Sequence, residues 1–240
     1  MNKHISLLAL VALTGSAFAG EKALFNGNDL SGWEGNTELW SVKHGVIRGE
    51  TQPSPGNAKK STLRHNTFLV WKDGTPGDFE LHAKFRITSE WGNSGIQYRS
   101  KVETTGADGP IISGYQADFE SGKTYSGILY EEKGRGILAQ RGQQVVVKTD
   151  PQDPNKIVKE VTGSVGVSQE IQDSIHIEDW NDYVVIAKGN HLQHFINGKK
   201  TIDVTDEDSR GAKEGVIALQ MHAGAPMVVE FKDITLTSDK

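Results

Sequence analysis

A chain of 240 residues with no cysteine can form no disulfide, offer no thiol nucleophile and build no cysteine metal site. Its formal charge of −5 comes from 31 acidic and 26 basic residues spread along the chain, a balance that argues against nucleic acid as a partner. The 27 glycines follow no collagen-like period and point to a fold of many tight turns.

The chain opens on a segment that the fold does not need. Lys3, the apolar run from Ile5 to Leu13, and the small residues Ala17 and Ala19 form the three-part pattern of a secretory signal peptide, with cleavage expected after Ala19. The apolar run falls short of the ~20 residues that cross a bilayer, so no membrane span is expected. The protein is therefore expected to be exported, periplasmic or secreted, with residues 20–240 folding as a single domain.

From there, alternation replaces helical periodicity. "WSVKHGVIRGE" reads as a hairpin turning at His44 and Gly45. "FELHAKFRI" puts Phe79, Leu81, Ala83, Phe85 and Ile87 on one face and Glu80, His82, Lys84 and Arg86 on the other, the pattern of a half-buried strand. "NSGIQYR" follows, with Gly95, Gln97 and Arg99 on one face and Ile96 and Tyr98 on the other. "GYQADFE" repeats the arrangement: Tyr115, Ala117 and Phe119 turn inward while Gln116, Asp118 and Glu120 turn outward. Residues 143–177 are less regular, with a polar, proline-bearing loop in "KTDPQDPNK" and a short helical turn or irregular edge in "SQEIQDSI". "DYVVIAKGNHLQHFINGKKTIDV" reads as three antiparallel strands turning at Gly189–Asn190 and Asn197–Gly198, and "GVIALQMH" and "MVVEFKDITL" supply two more. Short strands and glycine-rich turns predict an all-β fold, a two-sheet antiparallel sandwich.

The outward residues carry the chemistry. If the two strands around Gln97 and Gln116 share a sheet, Gln97, Arg99, Gln116 and Asp118 make a polar floor of the kind that binds sugars through directed hydrogen bonds. The competing reading is an ordinary solvated face, but glycine-bounded strands bearing Gln and Arg, followed by "YEEKGRG", are unusual for one. Asp118 and Glu120 stand about 7 Å apart on one face, close to the ~6.5–9.5 Å spacing of an inverting glycosidase pair. Gln116 at the head of that pattern is neither nucleophile nor acid, which puts two-carboxylate hydrolysis in doubt. His222, at the end of "LQMHAG", closes an apolar strand and opens a glycine-bearing turn. Asp118, a glutamate and His222 could together hold a divalent cation.

Eight stretches then occur in a telling order: "LFNGNDLSGWEG", "WSVKHGVIRGE", "DFELHAKFRI", "NSGIQYR", "GYQADF", "GILYEEKGRGILA", "WNDYVVIAKGNHLQHFING" and "GVIALQMHAG" with "VEFKDITL". Together they resemble the 3-keto-disaccharide hydrolase domain family of exported bacterial proteins, over most of the chain. The resemblance implies a concanavalin A-like jelly-roll sandwich. It also implies a carbohydrate substrate, a glycoside already oxidised to a ketone at C3 by a separate sugar 3-dehydrogenase. The ketone acidifies the C2 proton, a base removes it, the C1 substituent leaves by elimination, and water adds to the enone.

This chemistry needs a base, a group to stabilise the enolate and a donor to the leaving oxygen. His222 or Glu131 is the expected base, a neutral imidazole being suited to proton transfer near neutral pH. Arg99 or a bound cation would stabilise the enolate. Gln97, Gln116 and Asp118 would hold hydroxyls, with Glu120, Arg135 and Arg141 also on the substrate side; Asp118 has the alternative role of metal ligand. Glu131 and Arg135 could instead form a structural ion pair, and Glu132, one residue on, is expected to face solvent. Where the family pattern often has Glu before the Gln of this strand, the chain has Tyr115. A non-catalytic, lectin-like carbohydrate-binding module is the alternative function. Trp33, Trp40 and Trp180 are expected in the core, leaving Trp71 and Trp91 as rim candidates.

Overall fold

The computed structural model describes residues 20–238, so the expected signal segment lies outside the described residues. Two large sheets account for most of them. The ten-stranded sheet runs, edge to edge, through Ile157–Ser164, Gln143–Thr149, Lys199–Asp206, His191–Ile196, Asn181–Lys188, Phe79–Ile87, Val228–Ser238, Val46–Glu50 and Trp40–Lys43, with Glu21–Ala23 added on Val228–Ser238. The seven-stranded sheet runs through Gly136–Ala139, Leu129–Glu132, Gly109–Glu120, Asn93–Gly106, Val216–Met221, Thr67–Trp71 and Trp33–Glu34. Pairing is antiparallel apart from Gln143–Thr149 against Lys199–Asp206. This is the all-β, two-sheet antiparallel sandwich that the alternation predicts and the jelly roll that the resemblance implies.

The predicted turns form where the sequence tolerates positive φ. His44 and Gly45 take φ of 52° and 76°, and Asn197 and Gly198 take 49° and 77°, the left-handed pair that closes a two-residue hairpin. Between the sheets, Phe79, Leu81, Phe85, Tyr98, Tyr115, Phe119, Tyr183 and Phe231 are buried in one continuous core. Phe85 lies over Phe119 with ring centroids 3.9 Å apart, and Tyr98 stacks on Tyr115 at 5.5 Å.

Three sequence expectations change here. Within the less regular stretch 143–177, residues 143–164 form an antiparallel hairpin with one bulge at Gln144/Val145, closed by the polar loop expected there. Its outer strand, Ile157–Ser164, is an exposed sheet edge whose charges mask the alternation. Trp71 is core, at 3% exposure. Trp180 is only half-buried, its ring lying against Arg86 and Lys232. The short helix is present at Ser168–Gln172. No helix among the described residues is long and apolar enough to cross a membrane.

One feature prepares the site. The long hairpin formed by Asn93–Gly106 and Gly109–Glu120 carries register shifts at Ile111/Ile112 and Ser113/Tyr115. Bulges bend a strand locally, and the hairpin tip folds back over the outer face of Thr67–Trp71. Ile112 there joins Phe68, Val70 and Ala218 in a second small core, and Thr67 Oγ1 donates to the Asp108 carbonyl at 2.9 Å. The remainder of the outer face stays open.

Candidate functional site

Register places the polar residues together on that open face. Gln116 pairs with Gln97, and Asp118 with Gly95. On the other side Gln116 faces Tyr130, and Gly114 faces Glu132. Because Tyr115, Ala117 and Phe119 fill the core, their neighbours must point outward.

The outward residues form a continuous hydrogen-bonded chain. Ser100 Oγ donates to Gln97 Oε1 at 2.6 Å, and Gln97 Nε2 donates to Gln116 Oε1 at 2.7 Å. Gln116 Nε2 donates to Asp118 Oδ1 at 2.9 Å and to Gln220 Oε1 at 3.4 Å. Gln220 Nε2 donates to Glu132 Oε2 at 3.4 Å, and Asn66 Nδ2 reaches both Glu132 oxygens at 3.3 Å. The Ala223 amide donates to Asn66 Oδ1 at 2.9 Å, tying the residue after His222 into the network. Each amide is therefore fixed in orientation by its neighbours. Gly95 makes this possible, since a Cβ there would stand 2.5 Å from Gln116 Cγ.

Above the floor is a cavity of about 330 Å³ lined by Gln116, Asp118, Tyr130, Glu132, Gln220 and His222, with Asn66, Asn93 and Tyr125 at its edges. Burial raises the Asp118 carboxyl to about 8, against the pull of its Gln116 hydrogen bond, and the negative charges of Glu120 and Glu132 push the same way. Burial also raises Glu132, and it lowers His222 below its usual 6.5. Near neutral pH, Asp118 is largely a proton-bearing acid and His222 a neutral imidazole. A proton donor and a proton acceptor thus border one cavity.

The other residues singled out in the sequence lie elsewhere. Glu120 Oε1 accepts the amides of Thr124 and Tyr125 at 2.6 and 2.9 Å. Arg141 donates to the carbonyls of Ser126 and Lys123 at 2.7 and 2.9 Å. Both therefore hold the 121–126 turn, which carries Tyr125 to the cavity edge. Glu131 and Arg135 are paired, Arg135 Nη2 donating to Glu131 Oε1 at 2.6 Å and to Asp206 Oδ2 at 2.7 Å. They line a second cavity of about 620 Å³. Arg99 takes φ of 45° next to the bulge and donates to the carbonyls of Gly77, Gly189 and Ala212 and to Asp78. The alternation that would put it beside Gln97 breaks at this bulge, so Arg99 clamps three chain segments away from the floor.

Glu132 corrects a second expectation. Glu131 and Glu132 do point to opposite faces, but Glu132 is the one at the cavity, buried to 8% exposure. Asn66, Gln220 and Tyr130 also went unrecognised in the sequence. Gln220 had a signal: it shares strand parity with His222 and interrupts an otherwise apolar strand. Among the described residues, no group of three or more His, Asp or Glu side chains is arranged to hold a metal ion. The grouping of Asp118, a glutamate and His222 thus shares a cavity without forming a metal cage.

A family model for 3-keto-alpha-glucoside-1,2-lyase-like domains matches residues 20–237, nearly all of the described chain. The chain belongs to this family. At the coarse level it is a carbohydrate-active domain of glycosyl hydrolase or lyase type. Among solved structures, a candidate glycosyl hydrolase from Parabacteroides distasonis is 20% identical, with 92% of this chain and 94% of that one covered and a TM-score of 0.56. A Bacillus subtilis protein of galectin-like fold is 13% identical, with 94% and 98% covered and a TM-score of 0.58. The carbohydrate-binding module CBM66 from Bacillus subtilis is 12% identical, with 86% and 96% covered and a TM-score of 0.51. At these identities the likeness establishes the sandwich fold. No curated protein matches the chain.

Proposed function

We propose that the protein cleaves glycosides carrying a ketone at C3, by elimination followed by hydration. The observation that carries this reading is the shared cavity of Asp118, Glu132 and His222, in which burial favours the neutral form of all three. Neutral His222 takes the C2 proton, which the adjacent ketone has acidified. Tyr130, whose phenol burial holds protonated, donates to the oxygen of the forming enolate. The electron pair then closes the C1–C2 double bond, the C1–oxygen bond breaks, and Asp118 gives its proton to the leaving oxygen. Water adds at C1 of the enone, C2 regains a proton from His222, and a proton from the water restores Asp118. Gln97, expected to hold hydroxyls, is instead fully buried with both amide ends bonded within the floor, and it orients Gln116, which sets the carboxyl and faces the ring hydroxyls. A separate oxidation at C3 must supply the substrate, and residues 1–19 would direct the protein to the periplasm or outside the cell.

Direct hydrolysis by Asp118 and Glu132 fits less well. A protonated Asp118 beside an ionised Glu132 is the state such a pair needs, but it leaves the neutral His222 at the same cavity without a role. A lectin-like reading has one observation in its favour, the exposure of Tyr125 at the cavity and of Trp91 in a neighbouring turn. The test uses a chromogenic 3-keto-glucoside and its unoxidised counterpart, following aglycone release and enone absorbance. Release from the keto substrate alone is expected. Release from the ordinary glucoside would instead make Asp118 and Glu132 a glycosidase pair, and sugar binding without turnover of either would make the protein a lectin.

A further inference from the structure

Two exposed aromatic residues, one at the cavity and one in a neighbouring turn, have no part in the proposed chemistry. Tyr125 lines the cavity and is 42% exposed. Trp91 is 65% exposed, the highest value among the exposed large apolar residues. Tryptophan is ordinarily one of the more buried residues, so this exposure forgoes hydrophobic stabilisation.

Its place follows from the strand it precedes. Gln97, Gly95 and Asn93 share one face, and Asn93 lines the cavity. The ladder continues one step past the strand, with the Ser121 amide donating to the Gly92 carbonyl at 2.8 Å and the Gly92 amide to Ser121 Oγ at 3.0 Å. A Cβ on Gly92 would meet Ile87, Ser121 Oγ and Met227, so this residue is wedged between the core and the 121–126 turn. Trp91 stands in the turn just before this strand, two residues from the cavity-lining Asn93. The same two bonds join its loop to the 121–126 turn that carries Tyr125, and Glu120 and Arg141 brace that turn in place.

We propose that Trp91 and Tyr125 form a stacking subsite for an additional pyranose ring, so that the natural ligand is an oligosaccharide chain extending beyond the ring held over Gln116 and Asp118. Aromatic faces suit the apolar face of a sugar ring, and a braced pair of rings binds it with little loss of side-chain freedom. At the other end of the floor, Glu132 borders both this cavity and the larger one. The inference rests on the carbohydrate reading of the floor, but on neither the 3-keto chemistry nor turnover.

The experiment titrates the protein with disaccharides and hexasaccharides of glucans, mannans, galactans and xylans, read by calorimetry and tryptophan fluorescence. Wild-type protein is expected to bind at least one hexasaccharide about two- to tenfold more tightly than its disaccharide, the range of one aromatic contact. Trp91→Ala is expected to bring the hexasaccharide down to the disaccharide affinity, with an unchanged melting temperature showing that the fold is intact. Absence of a chain-length gain for every glycan, or a gain that survives Trp91→Ala, would overturn the subsite. Turnover of a 3-keto-glucoside, measured separately, keeps the two readings apart. Turnover without a chain-length gain removes the subsite alone, and a gain without turnover removes the chemistry alone.

Discussion

Replacing Asp118 by asparagine is expected to stabilise the protein, and the gain is expected to grow with pH. The folded carboxyl is raised from 3.8 to about 8, chiefly by burial. In the unfolded chain it titrates near ~3.9. Between these values the unfolded chain gives up the proton and the folded chain keeps it, so folding loses ground as pH rises. The loss is about 1.4 kcal/mol per pH unit for one proton and ends as pH passes the folded value. From pH 5 to pH 8 this amounts to roughly 3–4 kcal/mol, an upper figure because water entering the cavity softens the desolvation. Asparagine has nearly the same shape, can still accept from Gln116 through its oxygen, and does not ionise. For a chain of this size the ceiling corresponds to about 10 °C in melting temperature. Urea unfolding of both proteins at pH 5, 6, 7 and 8 measures it: the two stabilities should already differ by about 1.5 kcal/mol at pH 5, just over one unit above the unfolded value, and diverge steadily above. Parallel curves would mean that Asp118 is ionised and solvated in the folded state, and would remove the basis for its role as acid.

Three further expectations concern the same elements. The kcat/KM of the 3-keto-glucoside should trace a bell, with an acid limb below pH 6.5 from His222 and an alkaline limb near pH 8 from Asp118; Glu132→Gln, by removing a negative neighbour, should shift the alkaline limb down. Arg135→Met should cost about 3–5 kcal/mol in urea unfolding, because it strands the carboxylates of Glu131 and Asp206 without their buried cation. Gly95→Ala should cost about 1–3 kcal/mol through its collision with Gln116, and should lower kcat more than the fraction unfolded explains.

Strand alternation made the fold and half of the floor legible. Gln97, Gln116 and Asp118 could be assigned to one face because their neighbours Tyr98, Tyr115, Ala117 and Phe119 are unmistakably core residues. The same logic failed at Glu131 and Glu132, where neither of two adjacent acids looks like an inward residue. The decision came from Arg135, whose guanidinium lies among Glu131, Asp206 and Tyr115 and so makes the inner side hospitable to one carboxylate. Arg99 was misplaced for a different reason. Its parity is right for a straight strand, but the register shift at Ser113/Tyr115 and that at Val216/Ala218 bend the sheet beside it. Asn66 and Gln220 come from chain segments far from Gln116, and only the sheet order brings them together.

Tyr115 tests this account of faces most directly. The family pattern often places a glutamate at that position, and a tyrosine on the floor would then mean a lost acid. In the structure residue 115 points inward: Tyr115 is 1% exposed, stacks on Tyr98, and donates its hydroxyl to Asp206 Oδ2 at 2.5 Å. Its work is to hold Asp206 and, through it, Arg135, beneath the sheet. Tyr115→Phe leaves the ring in place and removes one donor to a buried carboxylate, so it should cost about 1–3 kcal/mol in unfolding. Turnover per folded molecule should stay within about twofold, since no atom of the cavity is touched. A hundredfold fall in kcat with normal stability would place residue 115 at the reacting centre. The face assignments on the Gly109–Glu120 strand, and with them the roles given to Gln116 and Asp118, would then have to be reversed.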